Sequence, residues 1–177
     1  MLQAGKDWRW EICAERNRLV LKVDSTQDEL VLPYKIRQLN QFATQGADFS
    51  LQDASMYEQV SHYLSCFDSW TDGEIAVISL HATAAKNYLN PVLAKSWFFK
   101  QYHGQIPSTE AVVELNSNNQ VGRFLIIECD SENSLCMCLE SSMQLDEHFS
   151  LSRFETIKVL NDRIYPVLLK QSQLKRA

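Results

Sequence analysis

The side chains of this 177-residue chain that could do chemistry are its five cysteines, its four histidines and a few carboxylates near strand ends. Cys136 and Cys138 are two residues apart, which puts both thiols on one face of a predicted strand, and Cys129 lies on the neighbouring strand. Three thiols of that kind would suit a soft metal. Zinc sites, however, ordinarily use Cys-x-x-Cys knuckles with a clear fourth ligand, and the sequence supplies neither. The expectation is therefore no metal and three small core residues. An odd number of cysteines (Cys13, Cys66, Cys129, Cys136, Cys138), mostly in apolar stretches, predicts free thiols without a disulfide.

His62, His81, His103 and His148 are isolated from one another, with no His-Glu-x-x-His pair and no nucleophile elbow. His62 and His81 fall on predicted helices, where surface or packing roles are expected, because a catalytic base needs assembled partners. Glu128, Asp130, Asp146 and Glu147 can be imagined as an acid/base pair, but turns of this kind are normally acidic and solvated. Gly5, Gly46, Gly73, Gly104 and Gly122 are too far apart to cradle a phosphate. No catalytic residue and no cofactor are assigned, and the expectation is binding rather than catalysis.

Composition narrows the partner. A hydrophobic content of 45% is that of a globular chain. Lys plus Arg number 17 against 22 for Asp plus Glu, a net charge of -5, with the basic residues scattered. Binding to a phosphate backbone needs them concentrated. No apolar run approaches the roughly 20 residues that span a bilayer, and Met1 to Asp7 has no apolar core typical of a signal peptide. A cytoplasmic location is expected.

The elements that must position any site are readable from periodicity. Trp8, Trp10 and Ile12 alternate with charged residues, Leu19, Leu21 and Val23 repeat the pattern, and Leu30 to Leu32 follow, which predicts a three-stranded meander closed by Pro33. Ile36, Leu39 and Ala43 predict a short helix from Pro33 onward. Two capping boxes, Ser50/Asp53 and Thr71/Glu74, open longer helices with apolar stripes at Leu51, Ala54, Tyr57, Val60, Leu64 and Phe67 and at Ile75, Ile78, Ala82, Ala85 and Leu89. Asn90 before Pro91 ends the second.

After Pro91 the texture becomes short β-type runs at Trp97 to Tyr102, Ala111 to Leu115, Arg123 to Cys129, Leu135 to Leu139 and Ile157 to Leu160, separated by turns. Residues 152–164 also fit a helix behind a Ser152/Glu155 box, but Thr156, Ile157 and Val159 are β-branched and favour a strand. The fold class expected is α+β. An α/β domain over residues 1–91, a meander with about three helices, precedes a small antiparallel twisted β-barrel domain over residues 92–177.

Several segments read together resemble the ZapC family of gammaproteobacterial cell-division proteins: Asp7-Trp-Arg-Trp10 with Arg18-Leu-Val-Leu21, Tyr88-Leu-Asn-Pro91 with Lys95-Ser-Trp97, Glu132-Asn133 followed by Ser134-Leu135-Cys136, and Ile157-Lys-Val-Leu-Asn-Asp-Arg163. They occur in order and cover nearly the whole chain. The resemblance implies a monomer, located at the midcell division site, that binds filaments of FtsZ, promotes their lateral bundling and lowers their GTP turnover. It places contacts at Leu21, Lys95 and Arg163. Lys95 and Arg163 would meet acidic patches and Leu21 would line an apolar pocket. Trp97, beside Lys95, is a further interface candidate, as is Trp70 between the two long helices. Where the family commonly carries lysine before the boundary proline, this chain has Asn90.

Two other classes compete. A β-barrel that binds a small ligand or single-stranded nucleic acid would show affinity that collapses with salt. A hydrolase built on the carboxylates or thiols would need an ordered pocket with perturbed titration.

Overall fold

The computed structural model describes residues 5, 7–104 and 111–167. Most of Met1 to Asp7, read above for a signal peptide, lies outside them. The chain is α+β and divides into two compact units at Asn90/Pro91.

The first unit carries the meander, β1 (Trp8–Cys13), β2 (Arg18–Val23) and β3 (Asp28–Val31), joined by turns with Asn17 and Gln27 in the left-handed region. A fourth strand that periodicity does not reveal, β4 (Ala47–Asp48), pairs with β1 and gives the order β3-β2-β1-β4. Two residues are too short for a pattern. Gly46, at a φ of 75°, makes the turn into it. The expected helix from Pro33 is broken into a 3-10 turn, Ile36–Gln38, and a single α-turn, α1 (Gln41–Thr44). Leu39 is extended and bridges to Leu89, and Asn40 caps α1 by accepting from the N–H groups of Phe42 and Ala43. Asn40 thus restarts the helix instead of continuing it.

Helices α2 (Leu51–Ser65) and α3 (Asp72–Tyr88) both begin at the expected boxes, Ser50/Asp53 and Thr71/Glu74. The α2 stripe is narrower than periodicity suggests, with Leu51 91% exposed at the first turn. Helix α3 is buried nearly all round, from Ile75 to Tyr88. Small residues let α2 and α3 approach: the Ser61 hydroxyl donates to Ser79 (2.9 Å), which donates to the Ile75 carbonyl, and Thr83 donates to the Ser79 carbonyl. Each hydroxyl thereby has a partner in an interior where an unpaired one would cost about 1–3 kcal/mol.

At the centre is Asp53, fully buried. Its carboxylate accepts hydrogen bonds from Trp10 Nε1, from the Ser50 backbone N–H and hydroxyl, from Asn87 Nδ2 and from the Tyr88 hydroxyl, at 2.7–3.3 Å. Burial, then the Asp53 charge, pushes the Tyr88 hydroxyl well above its ordinary pKa. The same carboxylate that caps α2 therefore ties β1 and the end of α3 to it.

The second unit is an antiparallel sheet of β5 (Val112–Asn116), β6 (Val121–Cys129), β7 (Asn133–Cys138), β10 (Thr156–Leu160) and β11 (Ile164–Pro166), in the order β10-β7-β6-β5-β11. A separate hairpin pairs β8 (Ser142–Gln144) with β9 (Ser150–Ser152). Among the described residues no ladder joins β10 to β11. Phe99, Val113, Leu115, Phe124, Met143, Leu151, Ile157 and Val159 form the core, with Cys136 and Cys138 among them. Residues 156–160 are a strand. The run from Trp97 to Tyr102 is not: it begins as a 3-10 turn, Ser96–Phe98, and only Phe99 bridges to Ser117. Its aromatic content reads as strand, but Phe99 alone is buried as an anchor.

Candidate functional site

The reactive side chains of the sequence are accounted for by structure. Burial raises the Cys136 thiol far above its ordinary pKa and pushes Cys138 up to about 11, and both sit in the core of the second unit as neutral thiols. Cys129 is exposed and turned to the Asp130 carbonyl. Among the described residues no group of three His, Cys, Asp or Glu side chains converges. Asp130 and Asp146 each close a turn: Asp130 Oδ1 accepts from the N–H groups of Glu132 and Asn133, and Asp146 Oδ1 from those of His148 and Phe149. Those backbone bonds hold the Asp130 carboxyl below its usual range. His81 is buried with Nδ1 2.8 Å from the Val77 carbonyl.

Two surfaces remain, one in each unit. In the first unit, the β1–β2 register puts Trp8, Leu21 and Val23 on one face of the sheet, with Leu30 and Asp28 paired beside Leu21 and Val23 on β3. Between that face and the start of α3 lies a cavity of about 490 Å³, floored by these residues and walled by Gly73, Ala76, Val77 and Leu80. Its lining is overwhelmingly apolar, and its ionisable side chains are Asp28, Glu29 and Asp72. Leu21 is both core, at 2% exposure, and pocket wall. The wall from α3 is missed by a single-stripe reading, because Ala76, Val77 and Leu80 lie off the Ile75/Ile78 line. The near-continuous apolar run of that helix was the available signal.

In the second unit, residues 94–99 are strapped to the sheet. The Lys95 N–H donates to the Lys158 carbonyl (2.8 Å), the Leu160 N–H to the Ser96 hydroxyl (2.8 Å) and Arg163 Nε to the Ser96 carbonyl (3.2 Å). This fixes a row of rings: Trp97 on Phe98 with centroids 5.5 Å apart, Phe98 stacked on Phe149 at 5.5 Å, and the Lys95 ammonium 4.6 Å above Phe149. Trp97 is 70% exposed, and Leu93, four residues earlier, is 88% exposed. A cation over a ring face is attracted by its quadrupole, so Lys95 is held in place while its charge stays available.

The structure thus gathers Lys95, Trp97 and Arg163 in the second unit, with Leu21 in the first. Arg163 differs from expectation in attitude. Its side chain is only 15% exposed, 3.0 Å from Asp162 and bonded to the Ser96 carbonyl, so it holds the Lys95–Trp97 segment more than it presents a charge. Trp70 packs edge-on against Phe67. Phe149 was not legible in the sequence, because a loop aromatic 54 residues from Lys95 gives no local sign of the contact.

Comparison with known proteins gives this arrangement a family. Residues 1–90 match the N-terminal and residues 91–170 the C-terminal part of the family described as cell-division protein ZapC. A protein of Pseudoalteromonas translucida named cell division protein ZapC is 51% identical, over 95% of each chain. One of the same name in Aeromonas hydrophila is 32% identical over 99% of this chain and 98% of its own, and another in Pseudoalteromonas atlantica is 30% identical over the full length of both. With both halves matched and relatives aligned end to end, the chain belongs to the ZapC family of cell-division proteins.

Proposed function

We propose that this protein binds FtsZ filaments at the midcell division site of the cytoplasm, promotes their lateral bundling and lowers their GTP turnover, without catalysis of its own. The observation that carries the reading is the family match across both halves of the chain. Two contact surfaces of different make support it: the apolar pocket lined by Leu21, and the ring row of Lys95 and Trp97 braced by Arg163. A monomer with one surface in each of two domains, 1–91 and 92–177, can bridge neighbouring filaments, and a ligand that prefers the assembled form shifts the equilibrium toward it by mass action.

The test is co-sedimentation with FtsZ assembled in GTP, read together with light scattering and phosphate release. The native protein should pellet with polymer, raise scattering and slow release. Lys95→Glu and Trp97→Ala should each reduce pelleting. Absence of enhanced pelleting at micromolar protein would refute the partner, and equal pelleting by both variants would refute the second-unit surface.

A further inference from the structure

We propose that the first-unit pocket selects its occupant by charge, taking apolar side chains from an extended segment flanked by lysine or arginine. The inference deepens the pocket reading above and rests on it. Every ionisable side chain lining the cavity is a carboxylate: Asp28 and Asp72 are exposed at its rim, and Glu29 is ion-paired to Arg16. The remaining lining, Trp8, Leu21, Val23, Leu30, Ala76 and Leu80 foremost, is apolar, and its 490 Å³ lies within the range of ligand pockets. An acidic-flanked segment would bring like charge to that rim, whereas a basic one gains attraction and desolvates only its apolar centre.

The position of the cavity favours a polypeptide occupant. It is lined in part by Asp28, Glu29 and Leu30 of β3, one of the two edge strands of the order β3-β2-β1-β4 among the described residues. An extended segment laid along that edge can bond to backbone groups while alternate side chains enter the cavity.

The experiment uses the full chain and three fluorescein-labelled peptides with one Leu-Phe-Leu centre, flanked by lysine and arginine, by glutamate, or by serine. Anisotropy titrations at low and high salt read the affinities. The basic peptide should bind at least about tenfold more tightly than the acidic one at low salt, with the gap closing at high salt as screening shortens to a few ångströms. Asp28→Lys, an exposed change that leaves one lysine against Asp72 at the rim, should erase the preference for the basic peptide, and Ala76→Leu, which narrows the cavity, should weaken binding of all three. Equal affinity of the native protein for basic and acidic peptides, an undiminished preference in Asp28→Lys, or unchanged binding by a folded Ala76→Leu would each overturn the proposal. FtsZ co-sedimentation run in parallel separates the two readings: lost charge order with retained pelleting removes only the selectivity, and retained charge order without pelleting supports the pocket while removing the partner.

Discussion

Replacing Asp53 with alanine should do more damage than any other single polar change in the first unit. The carboxylate is fully buried and accepts from Trp10, Ser50, Asn87 and Tyr88, so its loss strands donors on β1, the start of α2 and the end of α3 at once. A hydrogen bond to a charged group contributes about 1.5–3 kcal/mol, and each buried donor left unpaired costs about 1–3 kcal/mol. Because the bonds share one acceptor the losses do not add, and the expected destabilisation is about 3–5 kcal/mol, that of breaking a buried charged network. Domains are stable by only about 5–15 kcal/mol in total. With a urea m-value of about 1.5 kcal/mol/M, the midpoint should fall by about 2–3 M. Tyr88→Phe removes one donor to the carboxylate and leaves the others satisfied, so it should cost about 1.5–3 kcal/mol. The assay is urea unfolding followed by tryptophan emission and by far-ultraviolet circular dichroism, with residues 1–91 also examined alone. A cost below about 1 kcal/mol for Asp53→Ala, or a Tyr88→Phe cost as large, would refute the view that this carboxylate joins the three elements.

Other expectations follow from the same geometry. Arg163→Ala should release the Ser96 carbonyl and loosen the Lys95–Trp97 segment, weakening FtsZ pelleting even though little of Arg163 is exposed; Arg163→Lys, which keeps charge but not the Nε donor, should fail to restore it. Native thiol labelling should modify Cys66 and Cys129 readily and leave Cys136 and Cys138 untouched until the protein is unfolded. The raised Cys138 pKa sets an alkaline dependence. Stability should be unaffected by this group below its ordinary value of 9.0 and be lost progressively as pH climbs toward about 11, and Cys138→Ala should reduce that slope in pH-dependent urea titrations, leaving the part due to Cys136. Asp130 works in the opposite direction. Its lowered pKa means that its stabilisation is present above the ordinary value of 3.8 and fades as pH falls through the lower folded one, so Asp130→Asn should flatten the acid limb.

The sequence by itself determined what depends on near neighbours. Strands β1 and β2 are legible because one face is buried and alternation has a period of two. The starts of α2 and α3 are legible because a capping box is a contact between residues three apart. Free thiols, acidic turns and the absence of a phosphate loop follow from residue types and spacing. Family-like segments in order pointed to the cell-division family.

Contacts between distant residues decided the rest. Whether residues 36–43 were one helix depended on Leu39 bridging to Leu89, and whether residues 97–102 were a strand depended on Phe99 being the single buried anchor there. Asp53 reads locally as a cap and becomes the centre of the first unit only when Trp10, Asn87 and Tyr88 arrive from other elements. The pocket needs α3 laid over the β2–β3 face, and the ring row needs Phe149 under Lys95. Periodicity records which face of an element is apolar, but not which residues of other elements cover it or where they leave a gap. That is why the acidic rim around Leu21 and the aromatic support beneath Lys95, two residues that the family resemblance singled out, could not be read from the sequence.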